Sequence, residues 1–247
     1  MNAPEHRYQV NQLTPDPRVK FDRECAAKYV LYAHRLAERG YVQAAVGNMV
    51  MRAPHPDYPE GVCYVKCQGV SLEEMGIDDI VITDVPFGRI LYGERATTVG
   101  HQMNREMLRL RPDIHCVIHL HHDETIAYLA AGHEEIRPVG LTFSYLMQKP
   151  VHFLPAHINV EDDVEPIKTF IAGTNCVLMK RHGITVLGRN VSECYGRVNI
   201  LAAEIKRNII AEQLAAIRGS TVDRISKEEM EEMYRHGDAV MYPEVKK

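Results

Sequence analysis

The sequence predicts an α/β domain whose helices flank a sheet of short, largely antiparallel strands. Two observations carry that prediction. Segments with helical spacing alternate with short apolar runs along the whole chain, and helices interleaved with strands pack as layers. The 247 residues, 45% hydrophobic and 25% charged, supply one sizeable core without a repeat, low-complexity tract or linker to divide them. One domain is therefore expected over residues 21–247, with a helical C-terminal tail. Residues 1–20, polar and proline-containing, are expected to form an arm.

The elements follow in order. Ala26, Val30, Leu31, Ala33, Leu36 and Ala37 fit helical spacing over residues 21–39, and Gly40 stops that helix. Gly47 and Asn48 open a strand that runs to Arg52, and a second strand covers 62–67. Ser71, standing before Glu73 and Glu74, reads as the cap of one helical turn. Residues 80–83 and 88–92 read as strands. Residues 100–110 read as a helix with Met103, Met107 and Leu110 on one face. Val117, Ile118 and Leu120 form a short buried strand, after which Asp123 caps a helix to about residue 131. A brief strand at 151–154 and a helix at 164–172 lead to a buried strand at 176–179. A further strand at 184–187 precedes the longest helix, 192–218, striped by Val198, Leu201, Ala202, Ile205, Ile209 and Leu214. A last amphipathic piece covers 226–235.

Composition narrows the function classes. The net charge of −4 and the lack of a basic block exclude nucleic acid as an expected partner. No apolar run approaches the roughly 20 residues of a membrane span, and the first residues lack the apolar core of a secretory signal. The six cysteines, Cys25, Cys63, Cys67, Cys116, Cys176 and Cys194, lack Cys-x-x-Cys spacing and read as free thiols of a cytoplasmic protein. The thirteen histidines are the residues to account for. His119 and His121, two apart on one strand, point to the same face and make half of a metal site. His122 falls on the opposite face.

Four segments, in order, resemble the class II aldolase/adducin family, which includes fuculose-phosphate aldolase and ribulose-phosphate 4-epimerase. They are Gly47-Asn48; Val65 to Gly69; Arg111-Pro112-Asp113 leading to His119-x-His121; and Arg181-His182-Gly183 before a strand and a long helix. The likeness spans roughly residues 22–215. It implies a three-layer α/β/α domain with a central, mostly antiparallel sheet, and a homotetramer with active sites between subunits. It also implies one divalent ion per chain on His119, His121 and His182. Three imidazoles with an open position suit Zn²⁺, Mn²⁺ or Fe²⁺.

The chain departs from that family where acid/base and phosphate chemistry would lie. The metal-binding glutamate of the aldolases falls on Gly100, and the histidine four residues on falls on Asn104. His101 is the imidazole left nearby, with Glu106 one turn further. The phosphate-binding serines correspond to Thr98 and Val99, and the phosphate turn becomes Lys66-Cys67-Gln68-Gly69. Asn48 and the glycines stay while most hydroxyls go, so a phosphorylated sugar is not expected. Lys66 or Arg95 could instead pair with a substrate carboxylate.

The expected activity is thus metal-dependent carbon–carbon cleavage of a non-phosphorylated hydroxy-, oxo- or hydroxy-aromatic carboxylate. Decarboxylation is favoured over aldol cleavage because it needs no glutamate base. The expected substrate contacts are Asn48, Lys66, Gly69, Arg95 and Thr98. The proton would come from His101, or from a tyrosine of a neighbouring subunit's tail, Tyr242 or Tyr234. Two other readings compete: a non-haem iron oxygenase using the same histidines, and a non-catalytic adducin-like interaction domain.

Overall fold

Strands β1 (Asn48–His55), β2 (Tyr58–Lys66), β3 (Ile80–Asp84), β4 (Ile90–Tyr92), β5 (Cys116–Leu120), β6 (His152–Leu154), β7 (Cys176–Met179) and β8 (Gly183–Gly188) form one sheet in the computed structural model, which describes residues 11–241. Their order is β4-β3-β2-β1-β5-β8-β7-β6. Each pairing is antiparallel except β6 with β7. The helices, in chain order, are α1 (Arg23–Glu38), α2 (His101–Leu110), α3 (Asp123–Ala130), α4 (Leu141–Met147), α5 (Ile167–Phe170), α6 (Val191–Arg218) and α7 (Lys227–Met241).

Both faces of the sheet are covered, as the three-layer expectation requires. On one face, Ala26, Tyr29, Ala33 and Leu36 of α1 share a core with Leu129 of α3, Phe143 and Met147 of α4, and Val198, Leu201 and Ile205 of α6. On the other, Met103, Met107 and Leu108 of α2 pack with Ile167 and Phe170 of α5. Each such aliphatic side chain, fully removed from water, contributes about 1.5–3 kcal/mol before entropy is counted. Alternation along β5 sends Cys116, Ile118 and Leu120 to the first core and Val117 to the second. His119 therefore points into the α2 layer. No described helix is long and apolar enough to cross a membrane.

Local chemistry sets the element ends. The Asp22 carboxylate accepts from the backbone N–H groups of Glu24 and Cys25 and starts α1. Ser71 and Glu74 form the reciprocal capping pair the sequence suggests: each side chain accepts from the other's backbone N–H, at 3.1 Å. Asp123, by contrast, does not cap α3. It lies inside the first turn, where its charge favours the helix N-terminus, and His122 is the cap residue. Arg111 is buried and acts as a clamp. Its guanidinium donates to the carbonyls of Ile171 and Thr174 at 2.9 and 2.8 Å and to Asn175 Oδ1 at 3.1 Å, and it pairs with Asp113.

The described part of the arm is tied down rather than loose. Thr14 and Asp16 donate to the carbonyls of Ile90 and Leu91, and Ile90 donates to that of Gln12, so this segment runs along the β4 edge. Helix α4 was not expected from the sequence. The helix expected at 164–172 shortens to Ile167–Phe170 and tightens into a 3₁₀ turn over Ile171–Gly173.

Candidate metal centre

The centre is built where β5 ends and β8 begins. His119 lies on β5, opposite Asn48 of β1 and Thr185 of β8. His121 stands one residue beyond the end of β5, and His182 immediately before β8. Gly183 lets these two ends meet. Its φ is +150°, and a Cβ there would overlap the Leu120 carbonyl oxygen and lie 3.0 Å from His121 Cα. Only glycine allows so close a crossing of two backbones.

The three imidazoles converge. Ring centroids are 5.1 Å apart for His119–His121 and 4.9 Å for each of the other two pairs, all edge-on. Their candidate ligand atoms lie within 4.8 Å of one another. His119 is oriented by its other nitrogen: Nδ1 is 3.0 Å from the Ile184 carbonyl, which can only accept, so Nδ1 carries the proton. Nε2 is then left with its lone pair, buried and without a hydrogen-bond partner. An orphaned buried acceptor beside two more imidazoles fits a divalent cation, and fixing the tautomer through the second nitrogen is how protein imidazoles are oriented towards metals. Burial pushes His119 down to about 3, with His182 and His121 adding to the fall and Glu161 opposing it. Burial and His182 lower His121 as well. Neutral imidazole is the ligating form.

The sequence did not point to Glu161. This residue lies in the loop between β6 and α5, and its carboxylate stands 3.3 Å from His182 Nε2 and 3.9 Å from His119 Nε2. The loop is held by buried Val160 and by Asn159, whose side chain accepts from the Glu161 backbone N–H at 3.2 Å. Burial pushes the Glu161 carboxyl up, but the hydrogen bond from His182 and the fields of the three histidines outweigh it and leave it below the ordinary value. In the sequence, Glu161-Asp162-Asp163 is an acidic run just before the helix expected at 164–172. The one available signal was indirect: Gly100 removes a carboxylate that a metal site would draw from elsewhere.

Several expected site residues have other work. Lys66 is buried and its ammonium donates to the carbonyls of Ala45 (2.9 Å) and Val70, which braces a loop. Arg95 pairs with Asp79 at 2.7 Å. His101 does not join the triad. It is buried with Nε2 2.8 Å from Thr83 Oγ1, and burial, reinforced by Arg105, pushes it down to about 3, so it is neutral. Tyr234 packs against its own chain's core, and burial raises its phenol to about 12. Tyr242 lies outside the described residues. Asn48 is buried and accepts from Asn104 Nδ2. Gly69 occupies a turn at φ +84°. His122 is buried apart from the triad, edge-on to Tyr41 and 2.9 Å from Thr125 Oγ1.

A cavity of about 450 Å³ adjoins the centre, lined among others by Gln68, Thr97, Thr98, His101, Glu161 and Asp162. Of the expected contacts, Thr98 and His101 face it, and Glu161 connects it to the histidines.

The family model described as Class II Aldolase and Adducin N-terminal domain matches residues 27–206. The chain belongs to this family. It is 23% identical over 193 residues to an L-fuculose phosphate aldolase of Methanococcus maripaludis, covering 76% of this chain and 97% of that relative. Among solved structures, an L-fuculose 1-phosphate aldolase superposes with a TM-score of 0.73 at 19% identity, over 89% of this chain and 98% of the other. The L-fuculose-1-phosphate aldolase from Thermus thermophilus gives 0.66 at 20%, over 79% and 97%. These structural likenesses establish the class II aldolase fold.

Proposed function

We propose that this protein is a metal-dependent carbon–carbon lyase acting on a small, non-phosphorylated hydroxy- or oxo-carboxylate, with His119, His121 and His182 holding one Zn²⁺, Mn²⁺ or Fe²⁺. The observation that carries this is the convergence of three imidazoles around the buried, unpartnered Nε2 of His119. These residues would hold a divalent ion, which would supply a Lewis acid for the electron pair that a breaking carbon–carbon bond leaves behind. The curated relative named an L-fuculose phosphate aldolase supports a lyase.

The chain's own residues shape the rest. Glu161, beside His182 and on the cavity wall, can take a proton from a substrate hydroxyl or return one to the departing carbon. Thr98 and Gln68 offer a hydroxyl and an amide to orient a polar substrate in the cavity. Asn48, fixed by Asn104, stands opposite His119 on the neighbouring strand.

Decarboxylation of a hydroxy-aromatic or oxo-acid is the reaction the sequence favoured, on the ground that position 100 lacks a carboxylate. Glu161 favours a second reading, retro-aldol cleavage, since it puts a carboxylate into the space next to Gly100. A cytoplasmic homotetramer with sites between subunits belongs to the same proposal. The test is turnover of protein loaded with each ion, with and without oxygen, on a panel of hydroxy-aromatic acids and β-hydroxy carbonyl compounds. CO₂ or aldehyde release without oxygen is the expected result. Turnover only with stoichiometric O₂ uptake would make it an oxygenase, and no metal binding would make it an interaction domain.

A further inference from the structure

We propose that Glu161 is a fourth protein ligand of the metal centre, reaching it through the space that the missing side chain of Gly100 leaves. This rests on the reading of His119, His121 and His182 as metal ligands. Glu161 Oε2 lies 3.3 Å from His182 Nε2, and Oε1 lies 3.9 Å from His119 Nε2, too far for a hydrogen bond and facing a nitrogen with no partner. A carboxylate so placed between two candidate ligand atoms would add one oxygen to the three nitrogens in the resting centre, and a substrate would reach the ion by displacing it or by raising the coordination to five. The carboxylate also removes one unit of the ion's double charge, which three neutral imidazoles cannot do.

Gly100 explains why the carboxylate can arrive from a distant loop. Its φ and ψ, −70° and 4°, are open to any L-residue, so backbone geometry does not require glycine there. Space does. A Cβ on residue 100 would overlap Glu161 Oε1 and lie 2.6 Å from Asn48 Nδ2. Both are side-chain ends, so a residue with a Cβ at position 100 has to push the Glu161 carboxylate aside and turn the Asn48 amide that Asn104 engages. A side chain at position 100 and the Glu161 carboxylate in its present place compete for one space. One ligand position is served from the loop after β6, and it is vacated by the start of α2.

Occupancy and geometry of the centre test this without reference to turnover. Zn²⁺ affinity is measured by chelator competition on the full chain, and the visible absorption of the Co²⁺ form reports the donor set. Glu161→Gln is expected to weaken Zn²⁺ on the order of 100-fold and to shift the Co²⁺ bands. Gly100→Ala, with Glu161 intact, is expected to weaken binding by at least about tenfold. The double variant Gly100→Glu/Glu161→Ala, which supplies the carboxylate from the helix start instead, should recover most of the loss. Metal-free melting temperatures within a few degrees of the parent show that each variant folds. Glu161→Gln with parental affinity and an unchanged Co²⁺ spectrum overturns this inference alone, and so does a double variant no tighter than Glu161→Gln. A parent protein that binds no metal overturns both it and the proposed function.

Discussion

Replacing Gly183 with alanine tests how the crossing of β5 and β8 builds the centre. The added methyl would overlap the Leu120 carbonyl oxygen and lie 3.0 Å from both His121 Cα and the Leu120 carbonyl carbon, all backbone atoms without rotamers to yield. Leu120 is paired with Ile184 across the ladder, and the His182 N–H donates to Met179 at 3.0 Å, so relief must come by moving the β5 end or the turn before β8. Holding alanine at φ +150° costs about 1–3 kcal/mol, and one or two disturbed hydrogen bonds add about 1 kcal/mol each. The sum is about 2–5 kcal/mol, or roughly 4–20 °C in melting temperature for a chain of this size. Because His121 and His182 flank the displaced backbone, Zn²⁺ affinity should fall at least about tenfold. Gly173→Ala is the control: nothing lies within 4 Å of its added methyl, and its cost should stay within about 0.5 kcal/mol. Thermal melts and chelator competition read both effects. A Gly183→Ala variant that melts within about 2 °C of the parent and binds metal equally would refute the crossing argument.

Three further outcomes are expected. His101 stays neutral in the fold down to about 3, its burial being the first cause, whereas unfolded histidine titrates near 6.5. The unfolded state therefore binds the extra proton, and metal-free stability should fall as pH drops from about 6.5 towards about 3, by up to about 1.4 kcal/mol per unit for this group; His101→Gln should flatten that slope in urea titrations. Arg111→Ala, which strands two buried carbonyls and Asn175, should cost about 3–5 kcal/mol in urea unfolding yet leave Zn²⁺ affinity within about threefold, since none of its partners belongs to the triad. Of the six cysteines only Cys25 is part-exposed, and burial pushes its thiol up to about 11, so native protein should react slowly at that thiol and, in denaturant, rapidly at all six.

The sheet was legible because its strands are short apolar runs bounded by glycine or charge, and because covered faces leave β5 apolar on both sides apart from His119. The long stripe of α6 and the capped start of α1 were legible for the same reason of period. Helix α4 was not: its seven residues mix Thr, Phe, Ser and Tyr, and it is held by α6 and α7 rather than by its own pattern. Pro166 at the head of α5 shortened a helix whose apolar spacing suggested more. Within the site, the histidines were readable because two stand two residues apart where an apolar strand ends, His119 on it and His121 just past it, and the third precedes a glycine. For Lys66 and Arg95 a sequence shows a charge and not the carbonyls or carboxylate that engage it in this structure. Glu161 was invisible because its direction is set by Val160 and Asn159 in a loop far along the chain from Gly100.

The most direct test of the metal centre is the divalent ion content of the loaded, desalted protein beside two single-histidine variants. His121→Ala removes a candidate ligand, and His122→Ala removes a neighbour that is buried instead against Tyr41 and Thr125. The account predicts about one ion per chain in the parent and in His122→Ala, and under about a tenth in His121→Ala. A parent below about a tenth of an ion per chain, or equal losses in the two variants, would contradict it.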